Sequence, residues 1–451
     1  MRRAAVAMLG LGSLLACNLS GGTPTPMRFL PTVAPIVPTI GYATVDPARL
    51  PSQDGRPPPP SLHILNILNQ VANDRLLLHV DALAGFGTRH FNSGYEREGW
   101  GIGAAFRYVR GEMEAIAATE ANVRVFAQEF EANFNGVSAP AHNVIATIPG
   151  REPAAGTVVV GAHYDSISLA INDEDSPAPG ANDNASGVAA LLEITRILAP
   201  LQPRATVMLV AFGAEEVGRL GSLAFVNEII RGREIDVIAM INLDIIGSST
   251  AANGAINDSE LRIFSHEDDQ SVARQLARAV DMIGFHLTPT MDLQVQNAAD
   301  RTGRFSDHLS FTEAGYPAVR LIEAFEERNR QHTAQDTIED ISPLYLQRTT
   351  EAALAITLAL VDGPRPPRLE RITLRPLEDG RSRLVWEPTE GAVRYYVHLR
   401  QEGIRNYHRI FSVTENSVEW DEWGRYAGLA IAAVDERGLI GPLSAEFRNG
   451  S

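Results

Sequence analysis

Residues 157–165 read T-V-V-V-G-A-H-Y-D, an apolar run closed by a histidine and then an aspartate. A strand with one wet face alternates apolar and polar residues; this run does not alternate, so both of its faces are expected to be covered. The same character recurs in N-V-I-A-T-I at 143–148, A-T-V-M-L-V-A-F at 205–212, V-I-A-M-I-N-L-D at 237–244 and A-V-R-L-I at 318–322. Between these runs the apolar spacing predicts amphipathic helices at about 186–199, 219–231, 270–284 and 343–361. Alternation of this kind predicts an α/β fold, a mixed, mostly parallel sheet sandwiched by helices. In such sheets ligands gather beyond the carboxyl ends of the strands.

The polar residues at those ends form a pattern. His163 and Asp165 close the first run, Glu215 and Glu216 follow A-T-V-M-L-V-A-F, and Asp244 ends V-I-A-M-I-N-L-D. Asp183 lies in P-G-A-N-D-N-A-S-G at 179–187, ahead of an apolar helical run, and His332 lies in R-N-R-Q-H-T-A-Q-D-T. Each has a plain alternative. Asp183 or Ser186 would serve as an N-cap, a Glu-Glu pair as a solvated face, and an aspartate after a strand as a turn residue. Taken together they conflict, because carboxylates gathered on one rim repel even at a moderate dielectric. Cations must neutralise them, or several must hold protons. Mixed carboxylate and imidazole donors suit Zn²⁺, so the rim reads as a metal site.

The bulk of the chain sets limits. At 451 residues it has room for two or three domains, and a net charge of −16 argues against a nucleic-acid partner. All 39 basic residues are arginine, which excludes a lysine Schiff base or a P-loop lysine. Residues 1–17 carry a basic start, an apolar run from Ala4 to Leu15, and L-L-A-C ending at Cys17. This reads as a secretory signal and resembles a bacterial lipobox, so the protein is expected to be exported and lipid-anchored through Cys17 at the outer face of a bacterial membrane. Residues 18–60 hold eleven prolines and read as an extended spacer. A domain at 61–362 follows, and G-P-R-P-P-R at 363–368 reads as a linker. Short alternating strands then predict an all-β sandwich at 366–448, which resembles a fibronectin type III domain with Trp386 and Tyr426 as core residues.

Taken in order, H-Y-D-S, P-G-A-N-D-N-A-S-G, G-A-E-E-V-G-R-L-G-S, N-L-D-I-I-G, S-D-H-L-S-F and Q-H-T-A-Q-D-T resemble the co-catalytic di-zinc aminopeptidases. These are the bacterial leucyl aminopeptidase type, metallopeptidase family twenty-eight of clan MH. L-A-G-F-G-T-R-H at 83–90 is similar to their lead-in. The resemblance implies the zinc exopeptidase fold, two Zn²⁺ and peptide substrates with a free N-terminus. It implies Asp183 as the carboxylate bridging both ions, His163 and Asp244 completing one, and Glu216 and His332 the other. Glu215 would be the general base, and Asp165 would accept from the second nitrogen of His163 and fix its tautomer. Asn182 departs from the pattern, since the family usually has a second aspartate there. Ser306-Asp307-His308 recurs in the family without an assigned catalytic role. Glutaminyl cyclases and some carboxypeptidases are similar in architecture and remain alternatives, as does a surface binding protein with an inactive peptidase domain.

Overall fold

The computed structural model describes residues 59–448; the leader with Cys17 and nearly all of the proline-rich spacer lie outside the described residues. The chain opens with helices α1 (Leu62–Leu68), α2 (Asn73–Ala84) and α3 (Gly101–Thr119), α1 being capped by the Ser61 hydroxyl. A hairpin of β1 (Arg124–Phe134) and β2 (Val137–Ile148) leads to β3 (Thr157–His163), α4 (Ser186–Leu198), β4 (Thr206–Phe212) and α5 (Leu220–Ala224). Then come β5 (Val237–Leu243), β6 (Glu260–Phe264), α6 (Val272–Leu287), β7 (Asp292–Val295), α7 (His308–Thr312), β8 (Ala318–Glu323) and α8 (Pro343–Asp362).

The strands form one eight-stranded sheet in the order β1-β2-β4-β3-β5-β8-β6-β7. The central run β4-β3-β5-β8 is parallel, as is β6-β7, while β1-β2, β2-β4 and β6-β8 are antiparallel. The fold is therefore the mixed, mostly parallel α/β architecture that the apolar runs imply. Alternate residues of a strand enter different cores. Val158, Val160 and Ala162 of β3 and Val207, Leu209 and Ala211 of β4 join the cluster under α2, α4, α6 and α8. Val159, Met208, Val210 and Phe212 join the other, with Phe311 of α7 and Phe225 just beyond α5. Fully burying such a side chain contributes roughly 1.5–3 kcal/mol, so polar residues are tolerated chiefly where a strand leaves the sheet. His163 is the last residue of β3, and Asp244 is the first after β5.

Some expectations need amendment. The helix at 219–231 is α5 followed by a wider turn over Phe225–Arg231. The β1–β2 hairpin extends the sheet beyond the apolar runs; β1 is mostly half-buried, and charged and polar residues interrupt its apolar ones. Among the described residues no helix is long and apolar enough to cross a membrane.

Beyond α8 two antiparallel sheets follow. One is β13-β10-β9 (Ser417–Trp420, Ser382–Val385, Thr373–Pro376); the other is β12-β11-β14-β15 (Arg409–Val413, Ala392–Arg400, Gly428–Asp435, Phe447–Arg448). Trp386 and Tyr426 are buried between them. The G-P-R-P-P-R segment is not a free tether. The Arg204 guanidinium donates to the Gly363 carbonyl, Arg437 pairs with Asp362 at 2.6 Å, and Tyr396, Ala432 and Val434 belong to the same apolar cluster as α8.

Candidate metal centre

Asp183 occupies the middle of the site. Its Oδ1 lies 3.3 Å from His163 Nε2, and its Oδ2 lies 3.3 Å from His332 Nε2. Asp244 Oδ1 is 3.4 Å from the same nitrogen of His163, and Glu216 Oε2 is 3.0 Å from that of His332. Of the three donor groups that result, two, His163–Asp183–Asp244 and Asp183–Glu216–His332, share the carboxylate of Asp183. Glu215 borders the first group beside His163 and Glu216.

The spacing tests whether a cation belongs there. Ligand atoms at about 2.0–2.1 Å around a tetrahedral ion stand roughly 3.3–3.4 Å apart, whereas a good N–H···O hydrogen bond spans about 2.9 Å. Most of these contacts match the tetrahedral edge. Asp244 Oδ1 and Glu216 Oε1 are also buried without a hydrogen-bond partner, although buried carboxylate oxygens ordinarily find one. The electrostatics agree. The Glu216 carboxylate beside His332 lifts that imidazole to about 11. Burial opposes charge on His163, yet Glu215 and Asp244 together drive it well above the usual histidine value. The carboxylates thus call for positive charge among them, which a divalent cation would supply. The donor set fits divalent ions of the zinc kind.

The segment around Asp183 folds as it does for local reasons. Gly180 has φ +55, and a Cβ there would stand 2.3 Å from the Asp183 carbonyl; a Cβ on Gly187 would stand 2.3 Å from the Leu243 carbonyl. The two asparagines grip the loop that carries Asp244. Asn184 donates to the Leu243 carbonyl and accepts from Ile245 N–H, and Asn182 accepts from Gly247 N–H. No side chain caps α4, so neither Asp183 nor Ser186 serves as its N-cap. Asn182 also donates to both oxygens of buried Glu323, at 3.1 and 3.0 Å. An aspartate at 182 would set a second carboxylate against Glu323.

The profile of peptidase family M28 matches residues 143–357. A probable zinc metalloprotease of Pyricularia oryzae is 33% identical over 352 residues, covering 70% of this chain and 69% of its own. One from Leptosphaeria maculans is 31% identical over 360 residues, covering 73% and 83%. The chain belongs to peptidase family M28. Among solved structures, an aminopeptidase from Aneurinibacillus sp. strain AM-1 superposes with a TM-score of 0.52 at 17% identity, over 66% of this chain and 96% of that one. The LapA aminopeptidase of Legionella pneumophila gives 0.51 at 18% identity, over 65% and 73%. At such identities the likeness is one of fold.

In this M28 peptidase several residues beyond the donors hold the site. Asp165 does more than face His163. Its carboxylate accepts the backbone N–H groups of Glu215 (3.0 Å) and Glu216 (3.1 Å), while its carbonyl takes the nearer contact with His163 Nδ1, 3.2 Å against 3.6 Å for its Oδ1. Asp336, in the Q-H-T-A-Q-D-T segment, accepts from the N–H groups of Asn182 and Asp183 at 2.8 and 2.9 Å. Arg89, from the lead-in at 83–90 and fully buried, donates to the carbonyls of Tyr164, Pro179 and Gly180. Asp244 Oδ2 is held by Ser306 and by Arg320 at 3.1 Å, leaving Oδ1 for the cluster. Arg320 reaches Asp300 at 3.1 Å with its other end. The sequence carried a signal for Arg320, since a lone arginine inside A-V-R-L-I must find buried partners. Asp300 carried none.

Proposed function

We propose that this M28 peptidase is an aminopeptidase working with two zinc ions, and that Asp183 bridges them. The observation that supports this is the division of one buried carboxylate between two complete donor groups, one oxygen to each. His163 and Asp244 would hold one ion, and Glu216 and His332 the other. Zinc bound there would supply Lewis acidity to the scissile carbonyl and to the attacking water. Glu215 has a carboxyl that burial pushes well above the usual range. That makes it suited to take the water's proton and pass it to the leaving amine. Asp165 anchors the backbone of the glutamate pair and keeps that proton acceptor in place. A substrate's free amine would lie against one metal site and the carboxylates beside it.

Leucine p-nitroanilide, the same substrate with a blocked amine, and a glutaminyl peptide test the reading when run with zinc quantification. Cleavage confined to the free amine, with two zincs per chain, is the expected result. Cyclisation of the glutaminyl peptide without hydrolysis would move the chain to the cyclases, and release of its C-terminal residues to the carboxypeptidases. Neither zinc nor turnover would leave a binding protein. The basic start, apolar run and Cys17 support export with a lipid anchor; loss of palmitate labelling in Cys17→Ser tests it. The three-plus-four strand order supports a fibronectin type III-like module at 366–448.

A further inference from the structure

The cavity over the donor cluster measures about 320 Å³, and its wall includes Arg219, Arg301, Arg304 and Phe305. The three arginines differ in what they already hold. Arg301 is committed to Asp300 and Glu326. Among the described residues the Arg304 guanidinium gives one hydrogen bond, to the neutral amide oxygen of Gln331, and has no acidic partner. Arg219 pairs through Nη2 with Glu313 at 3.1 Å, while its Nη1 is buried without a partner. Arg219 also holds a left-handed backbone, φ +61, beside Gly218. A non-glycine residue adopts that conformation uncommonly.

The charges of the wall and the floor differ in sign once metal is counted. Four carboxylates line the cavity: Asp183, Glu215, Glu216 and Asp244. Resting on the two-metal reading above, two divalent ions cancel those four charges, and the arginine wall then sets the sign of what remains. A guanidinium whose only partner is a neutral amide offers a planar fork matched to a carboxylate. The exposed ring of Phe305 lies next to Arg304 in the chain and gives apolar surface for an adjoining side chain. The cavity is small, so a group recognised on its wall lies close to the scissile bond.

We propose that Arg304 and Arg219 form a carboxylate-binding wall, so that this peptidase selects peptides carrying a carboxylate near the bond it cuts. Two sources supply that chemistry, the C-terminus of a short peptide and an acidic side chain. The probes are hydrolysis-resistant leucyl peptides with a reduced peptide bond: leucyl-leucine as the free acid, leucyl-leucine amide, and leucyl-glutamate amide. Binding to zinc-loaded full-length protein is measured by calorimetry. At least one carboxylate-bearing probe is expected to bind about tenfold or more tighter than leucyl-leucine amide, the worth of a charge-assisted hydrogen bond. Which probe gains identifies the source. In R304Q and R219Q the preference shrinks toward unity, and R304K keeps part of it. Equal binding of all three probes to the unmodified protein overturns the proposal, as does a preference that survives both glutamine substitutions. Because calorimetry needs no turnover, the two readings fail separately. A carboxylate preference in a chain that cuts neither leucine p-nitroanilide nor ordinary leucyl-leucine and leucyl-glutamate amide supports the wall and sinks the aminopeptidase reading. Cleavage of that substrate without any preference does the reverse.

Discussion

Replacing Arg320 with methionine removes a side chain that two buried acids share. Its Nη2 lies 3.1 Å from Asp244 and its Nη1 3.1 Å from Asp300, with all three side chains at 4% exposure or less. Methionine keeps length and apolar bulk but leaves two carboxylates without their counter-charge. Breaking a buried pair from one side costs about 3–5 kcal/mol, so a loss of that size is expected at pH 7 in chelator-treated protein. The sign of its pH dependence follows from Asp244. Burial alone would raise its pKa, but Arg320, with His163, outweighs burial and holds the carboxyl below the ordinary range. In the unmodified protein that contribution is complete above the unfolded value near ~3.9 and is lost only as pH falls below it. In the variant burial dominates, the folded-state pKa rises above the unfolded one, and the deficit shrinks as pH falls toward about 4. Denaturant unfolding followed at the helical circular dichroism band reads the peptidase part, because every α-helix in the described residues ends by Asp362. Zinc affinity, measured by competition with a chelator, should fall about 10–100-fold through loss of an outer partner of the ligand. A variant within about 1 kcal/mol of the parent at pH 7, or a deficit that grows on acidification, would refute this reasoning.

Glu215→Gln should keep zinc content near that of the parent while kcat falls about 10²–10⁴-fold; metal analysis and turnover on one preparation check it, and lost metal with retained rate contradicts the assignment. Gly180→Ala should destabilise by roughly 1–3 kcal/mol and weaken metal binding, since its Cβ would meet the Asp183 carbonyl and the Arg89 guanidinium; thermal melts with and without zinc measure both. His286 of α6 packs on Tyr396 at 4.3 Å between ring centroids, and burial lowers its pKa to about 3. The unfolded chain therefore takes up a proton below about pH 6.5 that the folded chain refuses. His286→Phe should recover about 2–3 kcal/mol at pH 4.5 relative to its effect at pH 7, read from unfolding at the two pH values.

Much of the fold was legible, because a sheet covered on both faces leaves an unmistakable trace: continuous apolar runs separated by helical periods. β1 escaped because it lies at the sheet edge, where only part of its surface is buried. The seven polar residues picked from strand ends and loops do meet around one cavity or directly behind it. Asp165 was expected to serve His163 and does lie beside that ring, but its carboxylate also accepts from the backbone of the next loop, a partnership fifty positions away that no local pattern encodes. Arg320, Asp300, Glu323 and Asp336 act through contacts of the same long-range kind.

What the amino-acid order determined alone was residue type against position: apolar where two layers of helix press on a strand, titratable where the strand ends. That follows from burial, which acts on each residue separately. Only the tertiary structure decided which oxygen of Asp183 faces which histidine, which carboxylate oxygens stay free of hydrogen bonds, and which arginine on the wall remains without an acid. Those outcomes depend on distances of a few ångströms between segments far apart in the chain, and a sum over local preferences does not contain them.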